Sequence, residues 1–338
     1  MIKKECFTAE WIEQVSSELH YNDKNLIEKV IRALSLLEML VKAGCPLVFK
    51  GGTALMLILG KSAHRLSIDI DLICPPGTNI EDYLKSFADF GFINLELVER
   101  KQRDDADIPK SHSKFFYQIA YRNDTDAQSY ILLDVLYEDI HYFRTQQIAI
   151  NCPFIRLEGK PLMVTVPSAE DILGDKLTAF APNTTGIPYY KNGRSCSMEI
   201  AKQLYDVGRL FENVSDLQIT KEAFRKIAVV ELSYRSFGTD IGQVFNDIRQ
   251  TALCISTRGK AGEGDFDLIQ DGIIRVKSFM YKQRYLIDHA IIDAARAAYL
   301  ATLIEKGINE IESYSNNPAD IKDMVIRPSL PNKLNKLR

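Results

Sequence analysis

A short segment with alternating apolar and acidic residues constrains the fold of this chain most. From Ser67 to Cys74, apolar residues stand at 68, 70 and 72, and Asp69 and Asp71 occupy the positions between them. This alternation is typical of a β-strand that buries one face. The sequence therefore predicts a sheet strand that carries two carboxylates on one face, about 7 Å apart along the strand.

Other elements of the first half surround this strand. Residues 24–43 have the apolar spacing of a helix with one buried face. A short buried strand, 47–49, then leads into a glycine turn, Lys50–Thr53, and an apolar helix over 54–59. Further strands are predicted at Phe92–Val98, Phe115–Tyr121 and Ile131–Tyr137, the last two as a hairpin.

The pattern becomes helical after Pro167. Ser168 and Asp171 form a capping-box signature ahead of apolar residues, and residues 181–194 read as a turn-rich loop. Predicted helices cover 168–180, 196–213, 220–234, 239–254 and 266–306. The fold class is α/β (α+β), with a mixed sheet and helices followed by an all-helical C-terminal domain. The predicted domains are 1–165, with N-terminal helices, and 166–325, followed by a basic tail, 326–338.

Composition excludes several classes of protein. The 338 residues carry a net charge of -3, so nucleic acid could be bound only by a local basic patch. The chain contains no run of about 18 apolar residues and no apolar leader at its start, so neither a membrane span nor a signal peptide is expected. Six scattered cysteines without a CxxC pair indicate reduced thiols in a cytoplasmic protein.

The two acids of the strand indicate a metal site. Two carboxylates this close repel each other unless a cation lies between them, and Mg²⁺ (or Mn²⁺) prefers such oxygen ligands. Asp134, inside the otherwise apolar segment 130–136, is the candidate third ligand, because a buried charge needs a partner. The alternatives are a solvated strand face for Asp69 and Asp71, and an edge-strand position for Asp134.

The glycine turn upstream strengthens this hypothesis. Gly51 and Gly52 would let backbone N–H groups approach a triphosphate, and Thr53 precedes a helix whose N-terminus favours anions. Most glycine pairs are only turns. A glycine pair followed by two strand-borne acids is much more specific.

These motifs together resemble a known family. Lys50–Leu55 (KGGTAL) and His64–Leu72 (HRLSIDIDL) are similar to the AbiEii/AbiGii toxins, which are nucleotidyltransferase-like toxins of abortive-infection and type IV toxin–antitoxin systems. The resemblance continues through Asp134 as the third acid, Asp175–Ala179 as the lysine motif and Lys202–Val207 as the Asp-bearing helical motif. The last motif departs from the family pattern, because Lys202-Gln203 stands where Arg-Asp is frequent. Beyond about residue 215 no motif matches.

The resemblance implies a nucleotidyltransferase-type sheet domain and a metal-dependent transfer of a nucleoside monophosphate from a nucleoside triphosphate. It implies an RNA acceptor, with the acceptor end of tRNA as the site of transfer, and a separately encoded antitoxin. Asp69, Asp71 and Asp134 would hold the metal, Lys176 would neutralise the triphosphate, and Asp206 would act as general base or orient the acceptor. The nucleotide-binding residues would be Lys50, Gly51, Gly52, Thr53, Arg65, Ser67 and Lys176.

Alternatives remain open on the sequence. The carboxylates could serve a metal-dependent phosphohydrolase or nuclease, or the fold could bind a nucleotide or a partner without turnover. Asp206 could instead pair with Lys202 one helical turn away. For the RNA, the loop residues Lys191 and Arg194 are the predicted basic contacts, with Tyr189 and Tyr190 as stacking candidates and four positive residues in the tail.

Overall fold

The computed structural model describes residues 1–98, 110–121, 127–214, 216–234 and 240–311. Two compact units divide the chain. The first comprises Met1–Ile172 and Lys277–Arg284, and the second comprises Leu173–Val276 and the part that follows from Tyr285. The predicted basic tail, 326–338, and most of the link between the hairpin strands lie outside the described residues.

The first unit is built on a five-stranded mixed sheet, which confirms the predicted fold class. Its strands are β1 (Val48–Lys50), β2 (Ile70–Cys74), β3 (Asn94–Val98), β4 (Lys110–Gln118) and β5 (Gln128–Tyr137). Their order is β1-β2-β5-β4-β3, and only β2 and β5 run parallel. The acidic strand β2 is the second strand of the sheet, and it lies beside the central strand β5, which carries the predicted third acid.

Helices cover one face of this sheet. They are α1 (Ala9–Glu18), α2 (Lys24–Lys42) and α3 (Gly51–Leu59). The apolar side of α2 and the inward residues of the strands form one core, in which Leu34, Phe49 and Leu133 are fully buried. Helix α3 begins at Gly51, three residues earlier than predicted, and Gly51 makes the turn out of β1 with a left-handed φ of +79°, which glycine adopts without strain.

The sequence did not predict two short strands of this unit. They are β6 (Thr145–Ala149) and β7 (Met163–Pro167), which pair with each other as an antiparallel ribbon. The predicted capping box follows directly: Ser168 Oγ accepts from the Asp171 N–H at 3.1 Å and donates to Asp171 Oδ2 at 2.8 Å. The Asp171 carboxylate also accepts from two backbone N–H groups ahead of β6, and these contacts hold the start of the next helix.

The second unit is helical, as predicted, except for one small ribbon. Its helices are α4 (Ala169–Ala179, which starts in the first unit), α5 (Ser197–Phe211), α6 (Leu217–Ser233), α7 (Ile241–Ser256), α8 (Phe266–Val276) and α9 (Ile287–Lys306). The predicted loop contains the hairpin β8 (Tyr190–Lys191) and β9 (Arg194–Ser195). Asn192 and Gly193 join them with φ values of 52° and 73°, as a tight two-residue hairpin turn requires.

The long helix predicted over 266–306 is wrong, because residues 277–286 interrupt it between α8 and α9. Backbone hydrogen bonds draw this segment into the first unit: Leu66 N–H donates to Phe279 O at 2.8 Å, and Tyr281 N–H donates to His64 O at 3.0 Å. The buried Tyr281 ring packs edge-on against Phe154. None of the helices in the described ranges combines the length and the hydropathy needed to cross a bilayer.

Candidate active site

Four polar residues form a row across the sheet of the first unit. Lys50 of β1 lies in register with Asp71 of β2, Asp71 with Asp134 of β5, and Asp134 with His112 of β4. Residues in register on neighbouring strands share a face of the sheet. The structure therefore brings two predicted metal ligands side by side, although 62 sequence positions separate them.

His112 is the part of this row that sequence reasoning missed. Its Nδ1 hydrogen bonds Asp134 Oδ1, and the exposed fractions of the two side chains are 11% and 32%. The imidazole therefore fixes the orientation of this carboxylate. The alternation Lys110-Ser111-His112-Ser113-Lys114 could have indicated that His112 lies on a polar strand face.

Asp69 lies just before β2 and is exposed. Its backbone carbonyl accepts a 2.7 Å hydrogen bond from Thr53 Oγ1, so the fully buried Thr53 ties the first turn of α3 to the acidic strand. Lys29 of α2 also lies near Asp69, and the sequence did not predict it as part of the site. Burial lowers the pKa of the half-buried Lys29 in α2, and the negative charges of Asp69 and Asp23 partly offset this shift.

The glycine turn packs directly against the side chains of the acidic strand. A Cβ on Gly51 would lie 2.1 Å from Asp71 Oδ2. A Cβ on Gly52 would lie 2.6 Å from Ser67 Oγ and 3.0 Å from Nη2 of the buried Arg65. Only glycine leaves room for these contacts, so the structure groups five of the predicted site residues around one turn.

Lys50 lies at the start of this turn, as the last residue of β1. The Arg65 guanidinium is held from its other side by Leu66, whose carbonyl accepts from Nη1 at 3.0 Å. Two basic residues thus border the glycine turn, and the side chain of one of them, Arg65, is buried.

The donor set of this face suits a divalent cation. Asp71 and Asp134 provide two adjacent carboxylates, which are the hard oxygen ligands that Mg²⁺ and Mn²⁺ prefer. Within the described ranges, no three His, Cys, Asp or Glu side chains form a complete set of metal ligands. That is compatible with Mg²⁺, which proteins usually bind through one or two carboxylates together with substrate phosphates and water.

The remaining two predicted catalytic residues meet inside the second unit. Lys176 of α4 and Asp206 of α5 form an ion pair with an Nζ–Oδ2 distance of 3.0 Å, and the exposed fractions of their side chains are 9% and 2%. Both residues were predicted from separate motifs. The structure shows that they are direct partners.

The predicted RNA-binding loop is the hairpin of the second unit. Tyr190 is 56% exposed, and Lys191 and Arg194 are exposed beside it. Tyr189 is different, because its hydroxyl group is buried and burial raises its pKa to about 12. Of the two tyrosines predicted to stack on a base, Tyr190 is therefore the one whose ring is exposed.

A family model described as "Nucleotidyl transferase AbiEii toxin, Type IV TA system" matches residues 34–305. Among solved structures, the chain is similar to JHP933 from Helicobacter pylori, with 15% identity, a TM-score of 0.41 and coverage of 91% of this chain and 95% of that one. It is also similar to the nucleotidyltransferase toxin MenT4 from Mycobacterium tuberculosis, with 14% identity, a TM-score of 0.42 and coverage of 87% and 89%. No curated protein matches the sequence.

Proposed function

Because this chain belongs to the AbiEii family of nucleotidyl transferase toxins of type IV toxin–antitoxin systems, we propose that it moves a nucleoside monophosphate from a nucleoside triphosphate onto RNA. The reaction uses a divalent cation, and a separately encoded antitoxin counteracts the toxin. The observation that carries the proposal is the register of Asp71 with Asp134, beside a glycine turn that touches the Asp71 carboxylate.

The carboxylates would hold the cation. Asp71 and Asp134 are the ligands that the sheet brings together, and Asp69 is the third proposed ligand because it lies two residues before Asp71. A bound Mg²⁺ or Mn²⁺ would neutralise phosphate charge and promote deprotonation of the attacking hydroxyl group. His112 would keep Asp134 in one orientation through its hydrogen bond.

The glycine turn would hold the triphosphate. The first backbone N–H groups of a helix have no partner inside that helix and favour anions. Helix α3 starts at Gly51, so its first turn begins beside Asp71. Lys50 and Arg65 would add positive charge at this turn, in the way that basic residues stabilise a phosphoryl group that is being transferred. The family resemblance also assigns Lys176 to the triphosphate and Asp206 to the acceptor.

Product analysis tests this proposal. The protein is incubated with each α-labelled nucleoside triphosphate, Mg²⁺ and total RNA, and the RNA and the small products are separated. Nucleotidyl transfer predicts labelled RNA together with an equal amount of pyrophosphate. Free nucleotide products without labelled RNA would indicate a phosphohydrolase, shortened RNA would indicate a nuclease, and binding without turnover would indicate a non-catalytic protein. Each of those three results would overturn the proposal.

A further inference from the structure

A stripe of basic residues runs along β4 on the same face as the carboxylates. Lys110, His112 and Lys114 are spaced two residues apart, so they lie on one face at intervals of about 7 Å. His112 is in register with Asp134, which shows that the stripe shares the face of the proposed active site. Lys110 and Lys114 therefore add two positive charges to the face that carries Asp71 and Asp134.

An exposed aromatic ring adjoins this stripe. Tyr130 of β5 is 42% exposed, and the Nζ atoms of Lys114 and Lys29 lie 5.5 Å and 5.4 Å from its ring centroid. The Phe116 ring packs beside it with centroids 5.7 Å apart. A partly exposed ring with two ammonium groups over it combines the aromatic and cationic groups of a surface that binds single-stranded nucleic acid, and a stacking base takes the place of a lysine ammonium group on the ring.

We infer that Lys110 and Lys114 of this stripe together with Tyr130, here called the β4 track, bind a single-stranded polynucleotide acceptor, one of whose unpaired bases stacks on Tyr130. The inference rests on the proposed function and deepens it by naming the surface that holds the acceptor. The acceptor is single-stranded because a base inside a duplex does not expose its face to a side chain.

The position of the track relative to the glycine turn favours the acceptor over the donor nucleotide. Gly51 and Lys50 lie at the β1 side of Asp71, whereas β4 lies on the other side of Asp134. In phosphoryl transfer, the attacking and leaving oxygens are roughly in line on opposite sides of the phosphorus. A triphosphate on the glycine turn therefore leaves the β4 side for the acceptor.

The distance from Tyr130 to Asp134 and the charge of Lys114 agree with binding of the acceptor to the β4 track. Tyr130 stands four residues before Asp134 on the same strand face, about 13 Å away by strand rise. This separation places the stacked base away from the reacting end of the acceptor. Lys114 also contacts Glu96 of β3 at 3.5 Å on the exposed face, and a phosphate group would compete with this carboxylate for the ammonium group.

The test measures binding without catalysis. A fluorescent single-stranded RNA decamer, the matching DNA decamer and an RNA duplex are titrated with the full-length protein by anisotropy, without nucleotide, over a series of salt concentrations. Tyr130→Ala is expected to weaken binding of the single strands roughly 5- to 150-fold, whereas Tyr130→Phe retains the ring and the affinity. Lys110→Gln and Lys114→Gln should each reduce the slope of log affinity against log salt by about 0.7.

The controls are Phe143→Ala, which removes a ring that is 51% exposed elsewhere on this unit, and Lys85→Gln, which removes an exposed lysine paired with Asp82. Both should bind like the wild type. No measurable binding of the single strands, equal affinity for the duplex, or unchanged affinity in Tyr130→Ala would overturn the inference. A raised KM for the triphosphate in Tyr130→Ala with unchanged RNA affinity would place the donor base there instead.

Because binding is measured without turnover, this result is separate from the test of the proposed function. A protein that transfers no nucleotide but loses single-strand binding in Tyr130→Ala would retain the β4 track and refute the transfer reaction. The converse result would retain the transfer reaction and refute the track.

Discussion

Lys176 Nζ and Asp206 Oδ2 lie 3.0 Å apart inside the second unit, and less than a tenth of either side chain is exposed. Breaking a buried ion pair leaves one charge without compensation in a medium that solvates it poorly, and this usually costs more than removing both charges. Neither partner can therefore be removed alone without lowering the stability of this unit, whatever part the pair plays in catalysis.

Lys176→Ala should lower the free energy of unfolding by roughly 3–5 kcal/mol, because it leaves Asp206 buried and unpaired. The double variant Lys176→Met with Asp206→Leu should recover most of that loss, since it removes both charges and keeps the volume. Urea unfolding of the single and double variants measures both effects. A Lys176→Ala variant as stable as the wild type would show that the pair is not buried in solution.

Asp71→Asn, Asp134→Asn and Asp69→Asn should each reduce nucleotidyl transfer by roughly 100-fold or more, because each removes a charge that would hold the cation or face developing negative charge. The thermal midpoint of Asp71→Asn should be unchanged or raised, since the substitution relieves repulsion between two carboxylates in register. Asp139→Asn, at an exposed acid just after β5, is the matched control and should retain full activity. Full activity in Asp71→Asn would refute the metal assignment.

Gly51→Ala should abolish transfer, because its Cβ would lie 2.1 Å from Asp71 Oδ2. Gly44→Ala is a close control: Gly44 has a similar φ of +76°, but a Cβ there meets nothing within 4 Å. Both variants should lose about 1 kcal/mol of stability from the left-handed backbone, and only Gly51→Ala should lose activity. Equal activity in the two variants would show that the contact with Asp71 is dispensable.

Asp293 of α9 should make the stability of the second unit depend on pH. Burial raises the pKa of Asp293 to about 6, against the opposing effect of Arg209 and Arg296. The folded protein then holds this proton more tightly than the unfolded chain, so folding is favoured progressively as the pH falls from about 7 to about 4.

The variant Asp293→Asn lacks this titration. As the pH falls from about 7 to about 4, the unfolding free energy of the wild type should therefore rise relative to that of Asp293→Asn by up to about 3 kcal/mol. Denaturant unfolding at several pH values measures the shift. A difference that stays constant with pH would contradict the raised pKa.

The paired substitution of Lys191 and Arg194 by Glu should reduce labelling of RNA at least several-fold but spare binding of the triphosphate, because both residues are exposed on either side of the hairpin turn. Labelling assays over a salt series measure the effect. Equal labelling by the wild type and the double variant at every salt concentration would refute a role for the hairpin in RNA binding.

Much of the site was visible in the sequence because its signals are local. The strand with Asp71 follows from alternation, although it begins at Ile70 and leaves Asp69 just ahead of it. The turn at Gly51 follows from glycines between a strand and a helix. The capping box at Ser168 was equally readable, since its hydrogen bonds span only three residues. Family resemblance added Lys176 and Asp206, which composition and spacing alone would not have singled out.

Other features depend on contacts between distant parts of the chain. Periodicity could not reveal that residues 277–286 leave the helical pattern, because that break is stabilised by hydrogen bonds to residues 64–66, more than 200 positions away. The same reason explains why His112 and Tyr130 were missed. Pairing of β4 with β5 brings His112 next to Asp134, and Lys29 of helix α2 lies over the Tyr130 ring.

Local sequence patterns predicted the acidic segment, the glycine turn and the helical second half. Each of these patterns depends on residues that are close together in the sequence. Folding of the whole chain sets the contacts of Asp134 with Asp71 and His112, and the contact of Lys176 with Asp206. The physical reason is that strand register and helix packing are set by the burial of the whole core. A shift of one residue in β5 would turn Asp134 to the opposite face of the sheet.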